Sequence, residues 1–327
     1  MDFKLIITNT VGKTFIPATV DGATLTTNRR GSPGTLKFTV IKNDTMEQAG
    51  GFLEGSSVNV IVDGKTIFFG FVFTKHRNST SKGHIIEVTA YDQIRYLKNK
   101  DTYTYQNKTA SDLVSMLASD YGLKTGSIES CGYTIPYRNE ENTTLLDMIE
   151  NALDLELSNK KEMFVLFDDA GKLCLKNISS MTVNHLIDDV AADDYDYSSS
   201  IDEQTYNQVK LTYDNEDTGK REVYIAKDSS HINEWGILQY YDTLKEGEIG
   251  SIKADALLSL YNNKTRKLKI TKAKGNKDIR AGCLIPVSLN LGDIVANSYF
   301  LVEKSVHTFR ESEHYMDLTL RGGEVIA

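Results

Sequence analysis

At 327 residues the chain is longer than an ordinary single domain, so two or three domains are expected. Hydrophobic residues make up 40% and charged residues 25%, fractions ordinary for a soluble globular protein. The formal net charge of −8 and a pI near 5.4 exclude a main role in gripping nucleic acid, which needs surplus Lys and Arg to displace counterions. They are compatible with DNA passing through an acidic, non-adhesive channel.

The opening Met1-Asp2-Phe3-Lys4 lacks a basic stretch followed by an apolar block. Apolar runs such as Ile67 to Phe73 are too short to span a bilayer, so folding in a cytoplasm is expected. Strands are predicted at Phe3 to Ile7 and at Leu36 to Val40, the latter alternating at period two behind a Ser32-Pro33-Gly34 turn. Another spans Val58 to Val62, and Asp63-Gly64 after it signals a hairpin. Ile67 to Phe73 and His84 to Tyr91 follow, separated by a polar loop from Asn78 to Gly83. Residues 1–98 are thus expected to form a small β-barrel or sandwich.

The period then changes. Thr109-Ala110-Ser111-Asp112 is a capping box that opens a helix carrying Leu113, Met116, Leu117 and Tyr121, with Gly122 as its stop. A second helix is predicted from Thr144 to Leu157, with Leu145, Met148, Ile149, Ala152 and Leu153 on its apolar face. Met163 to Phe167 and Lys172 to Leu175, joined through Asp168-Asp169-Ala170-Gly171, read as a hairpin. Residues 99–180 are expected to be a small α+β domain.

Residues 181–327 are expected to form a second β-rich domain with an inserted helix near 251–261. It opens on an acidic run (Asp188, Asp189, Asp193, Asp194, Asp196, Asp202, Glu203) interleaved with Tyr195, Tyr197 and serines, read as a solvated connector or interface strip. Strands follow at Gln208 to Tyr213, Arg221 to Ile225, Leu268 to Ile270, Leu284 to Leu289, Tyr299 to Val306 and His314 to Leu320. His76 and His84-Ile85-Ile86-Glu87-Val88-Thr89 match His307 and His314-Tyr315-Met316-Asp317-Leu318-Thr319, with Phe69 and Phe71 falling at Phe300 and Val302. The match covers two strands and breaks at Phe73 against Lys304, so alone it is weak evidence of a duplicated β unit.

Reaction chemistry finds little support. The pairs His76/His84 and His307/His314 lack a third ligand at zinc spacing and read as structural. Cys131, Cys174 and Cys283 are too few and too scattered for a disulfide framework and read as buried thiols. The acidic run lacks the order of a calcium loop. The basic cluster Lys264, Arg266, Lys267, Lys269, Lys272, Lys274 and Lys277 lies largely on one strand face; it reads as an edge-blocking strand or one meeting an acidic neighbour. No catalytic, cofactor-binding or metal residue is assigned.

Three passages carry a family resemblance. Tyr206 to Leu211, Asp217 to Asp228 and Trp235 to Tyr241 are similar to XkdQ-type proteins of defective prophages and R-type bacteriocins, the PBSX element among them. Arg30 to Phe38 and the closing His307-Thr308-Phe309 with His314 to Leu320 resemble the ends of the same family. The resemblance implies two tube-type β domains flanking a small α+β domain, and a non-enzymatic structural role. It implies a baseplate hub in a contractile phage-like tail, made in the host cytoplasm. Three copies would form a ring joining a hexameric tail tube to a central spike, beside other baseplate proteins, away from any membrane, with DNA at most traversing the lumen. Two readings stand beside it: a tail-tip hub of a non-contractile tail, and a baseplate-associated cell-wall hydrolase.

Overall fold

The computed structural model describes residues 1–42, 50–80, 83–188, 194–202, 204–215, 218–244, 248–291, 295–310 and 312–322. The fold is mainly β, as expected. No helix among the described residues is long and apolar enough to cross a membrane.

Alternation builds the first unit. Leu36, Phe38 and Val40, Val58, Val60 and Val62, and Ile86, Val88 and Ala90 take every second position of their strands and share one core. The spatial order is Thr19–Asn28, Thr35–Ile41, Gly83–Tyr91, Lys65–Thr80, Ser57–Val62, Phe3–Thr8. Asp63 (φ 48°) and Gly64 (φ 77°) form the two-residue turn between Val62 and Lys65, where both positions need a positive φ.

The C-terminal unit repeats this order with Asp194–Ser200, Thr265–Lys274, Glu313–Gly322, Val295–Arg310, Leu284–Asn290 and Ile187–Asp188. The long hairpins coincide in detail. Val72 and Thr74 lie opposite Ala90 and Thr89 across a bulge, as Val302 and Lys304 lie opposite Leu320 and Thr319. The last pairs of the two ladders are Thr80 opposite Gly83 and Arg310 opposite Glu313, so the copies match at a constant offset of 230 residues. One strand differs: Phe3–Thr8 runs antiparallel to its neighbour, and Ile187–Asp188 runs parallel.

This register corrects the alignment drawn from the histidines. His84 with His314, Glu87 with Asp317 and Thr89 with Thr319 hold, but His76 matches Val306, and Phe69 and Phe71 match Tyr299 and Leu301. Equating the first histidines shifts one strand by a residue against this register, which would exchange its two faces. The polar segment from Asn78 is not a loop but strand as far as Thr80, laddered against Gly83–Tyr91.

Between the units, helices Ala110–Asp120 and Leu145–Lys160 start at Thr109 and Thr144, whose hydroxyls accept from the amides of Asp112 and Asp147. The predicted capping box is present. Phe164–Asp168 is buried on both faces. Phe164 and Leu166 enter the helices' core, while Val165 and Phe167 enter that of the C-terminal β unit, so one strand serves two cores.

Gln208–Asn215, Lys220–Lys227 and Gln239–Thr243 leave the large sheet and form a three-stranded one. Under it lies helix Gly250–Tyr261, the expected insertion, with Val209, Leu211, Ala254 and Leu257 in a core of their own. Periodicity shows that these strands bury one face; it does not show which core that face meets.

Candidate assembly surface

The two β units are fused edge to edge. Lys304 to Phe309 pair with Asn28 to Ala23, so one sheet runs through both units. Its central part is eight strands wide, from Asp194–Ser200 to Lys65–Thr80. The joint buries polar and apolar groups together. Thr27 and Ser305 share a hydroxyl hydrogen bond of 2.8 Å, and the Ala281 amide donates to the Thr27 hydroxyl at 2.9 Å. The Arg29 guanidinium meets Glu303 at 2.7 Å. Phe309, fully buried, stacks on Phe3 at 5.2 Å.

One face of this eight-stranded sheet packs on the two cores; the other is polar. Threonines at 24, 26, 35, 39, 74, 89, 271, 308 and 319 line it, with Lys37, Lys267, Lys269, Lys274, Lys304 and Arg310 interspersed with Glu87, Asp194, Asp196, Glu313 and Asp317. Lys269 stands opposite Asp196, so the basic strand meets an acidic neighbour and is internal rather than an edge. The net acidity of the chain is therefore not concentrated on this face. The acidic run proves to be strand from Asp194 to Ser200; Asp189, Asp193 and Glu203 lie outside the described residues.

Two edges of the wide sheet pair with no further strand among the described residues: Asp194–Ser200, and the half of Lys65–Thr80 beyond Val72. The second half ends in Asn78 to Thr80, the start of the segment that reads as a loop. From Thr74 onward its residues are all polar, although Lys75 and Arg77 stand opposite the core residues Val88 and Ile86, and the Lys75 ammonium lies 4.4 Å over the Phe52 ring.

Beneath the joint lies a buried charge cluster that sequence spacing does not disclose. The Asp92 carboxylate accepts from the Gly34 and Ile94 amides at 2.8 and 3.0 Å. The Asp168 carboxylate accepts from Gly171 N and Gln93 Nε2 at 2.7 and 2.9 Å. The Arg280 guanidinium donates to the Asp168 carbonyl at 2.8 Å and lies 4.0 Å over the Phe167 ring. Burial raises the Asp92 carboxyl well above the ordinary range, the Asp168 charge adds to this, and the Gly34 amide and Arg280 oppose it. Asp168 is raised too, chiefly by burial, against the hydrogen bonds from Gln93 and Gly171. These residues belong to the first β unit, the α+β segment and the C-terminal unit in turn, so one polar knot ties all three.

The four histidines behave differently from one another. His76 and His84 are exposed and lie opposite Glu87 and Ser79, not each other. His307 Nδ1 and His314 Nε2 lie 2.9 Å apart. No cluster of three metal-ligating side chains exists among the described residues. The three thiols are buried, as their isolation in sequence suggests.

Burial, then the neighbouring His314, lowers His307 to about 3; burial also lowers His314 to about 4. Both are neutral in the fold, whereas unfolded histidine takes up a proton near pH 6.5. Below that pH the unfolded state binds more protons, so stability falls as pH drops towards 4. His307 alone accounts for about 1.5 kcal/mol between pH 6.5 and 5. Thermal melts of His307→Phe should show a flatter acid limb than the unmodified chain; parallel limbs would contradict this.

A family model described as YQBQ-like matches residues 23–321. The YqbQ protein of Bacillus subtilis (strain 168) is 30% identical over 271 residues, covering 81% of this chain and 80% of that protein. The phage-like element PBSX protein XkdQ of the same organism is 28% identical over 305 residues, covering 91% of each. The crystal structure of the 43 kDa tail protein of prophage MuSo2 from Shewanella oneidensis superposes with a TM-score of 0.69 at 12% identity, covering 97% of this chain and 98% of that one.

Proposed function

Because the chain belongs to the YQBQ-like family, we propose that it is a structural baseplate protein of a phage-like tail. In finer terms it is a hub: three copies form a ring with the tail tube on one side and the central spike of a contractile particle on the other. Other baseplate proteins surround it, and its action is mechanical rather than catalytic.

The observation that carries this reading is the doubling of a six-strand unit within one continuous sheet. Three such chains present six like units, which meets a sixfold tube while keeping the threefold symmetry a spike needs. The names of two relatives favour the same assignment, since XkdQ belongs to a phage-like element and the Shewanella neighbour is a prophage tail protein. The polar sheet face, on which both signs of charge are mixed, suits a water-filled wall past which ions or DNA move.

Light scattering on the purified chain, alone and with spike protein, is expected to give a trimer or a trimer-containing complex. A strictly monomeric species that binds no spike at micromolar concentration would count against the proposal.

A further inference from the structure

We propose that Lys220–Lys227, the edge strand of the small insertion sheet, takes up an extended acidic strand of another baseplate protein, which joins that sheet as its fourth member. This deepens the baseplate reading above and rests on it.

The strand alternates at period two, but both of its faces carry apolar residues. Tyr224 and Ala226 turn inward to the small core beside helix Gly250–Tyr261. Val223 and Ile225 turn the other way and are 49% and 56% exposed. On that same back face Lys210 lies between Ile225 and Tyr241, and Tyr241 is exposed as well. A small sheet that already buries one face on a helix has no internal use for an apolar patch on the other.

The backbone of this edge is open. The Asp228 amide donates to the Asn207 carbonyl at 2.9 Å, which marks those opposed residues as a bonded pair. Continuing the alternation bonds Ala226, Tyr224 and Glu222 to Gln208–Asn215. The N–H and C=O groups of Arg221, Val223, Ile225 and Lys227 are then directed outward, where no strand pairs among the described residues. The edge is eight residues long and has neither a bulge nor a proline to blunt it.

Charge selects the occupant. Glu222, the one acid of the strand, faces inward and accepts from Tyr224 and Asn215. Arg221 is held by Asp214 at 2.6 Å. Lys210 and Lys227 flank Ile225 and form no ion pair among the described residues. An incoming strand therefore needs acids opposite these lysines and apolar side chains beside Val223 and Ile225. A second copy of the edge is a poor match. Antiparallel pairing brings Lys220 and Arg221 beside Lys227, and parallel pairing in register sets each base beside itself.

The test is photo-cross-linking in intact particles, with benzoylphenylalanine placed at Ile225 or, as a control, at the exposed Tyr137 outside the insertion. Immunoblotting of the purified particles first asks whether the chain is present. The Ile225 probe is expected to give an adduct in which mass spectrometry finds an acid-bearing segment of a different protein; the Tyr137 probe should not give that adduct. Lys210→Glu/Lys227→Glu should abolish it. Val223→Pro should do so too, although it removes only an outward amide and should melt within a few degrees of the unmodified chain. Val223→Thr keeps the amide and should keep the adduct. No adduct, adducts only with a second copy or with a segment lacking acids, or an adduct that survives Val223→Pro overturns the docking and leaves the baseplate reading standing. Absence of the chain from the particles overturns both.

Discussion

Replacing Arg280 with methionine is expected to lower the unfolding free energy by about 3–5 kcal/mol, measured by denaturant titration at pH 8. Methionine fills the space over Phe167 but leaves two buried carboxyls with no cation beside them. Both carboxyls already titrate above their ordinary range, and losing the guanidinium raises them further. A group raised on folding contributes stability below its unfolded value and loses it as pH rises through the folded one. The deficit of Arg280→Met against the unmodified chain should therefore shrink from pH 8 to pH 5. Arg280→Lys should recover only part, because an ammonium lacks the planar fork and the ring stack. A deficit independent of pH would mean that lost packing, rather than uncompensated charge, sets the cost.

The joint between the β units predicts a second large effect at Gly22. This residue has φ +75°, and a Cβ placed on it would sit 1.7 Å from the Phe309 carbonyl oxygen. It belongs to the bulge between Val20 and Ala23 that lets Thr19–Asn28 bend into register with Val295–Arg310. Gly22→Ala must either strain the backbone or push the strands apart. About 1–2 kcal/mol of the cost comes from the left-handed conformation, and the clash brings the total to about 2–4 kcal/mol. Gly12→Ala supplies the control, since φ is +82° there and a Cβ meets nothing within 4 Å. Hydrogen exchange should show lost protection at Leu25 and Thr27 in Gly22→Ala only; equal behaviour of the two variants would show that the joint tolerates the side chain.

Local chemistry was well written in the sequence. Asp63-Gly64, the Thr109 capping box, the start of the second helix at Thr144 and the alternation in Leu36 to Val40 each depend on residues within a few positions, and each reads correctly. What escaped is long-range. The pattern of Gln208 to Tyr213 is that of any half-buried strand, and nothing in it tells a separate sheet from the large one. Asp92, Asp168 and Arg280 lie in segments that meet only after the units dock. Most telling is Asn78 to Thr80, which reads as a loop because every residue there is polar, yet continues the ladder against Gly83–Tyr91. Asp194 to Ser200 reads as a connector because its acids and serines outweigh two tyrosines, of which Tyr197 packs on the C-terminal core. The open edges of the sheet were thus visible in the sequence only as polar stretches.

The account is tested most directly by a cryo-electron microscopy reconstruction of the intact baseplate, at a resolution that separates strands. It predicts three copies of the chain on the tail axis, between a sixfold tube and a threefold spike. The two β units of each copy should alternate around that axis as six like positions. Six copies, a position off the axis, or a ring whose copies touch through the helical segment or the 208–261 insertion would contradict it.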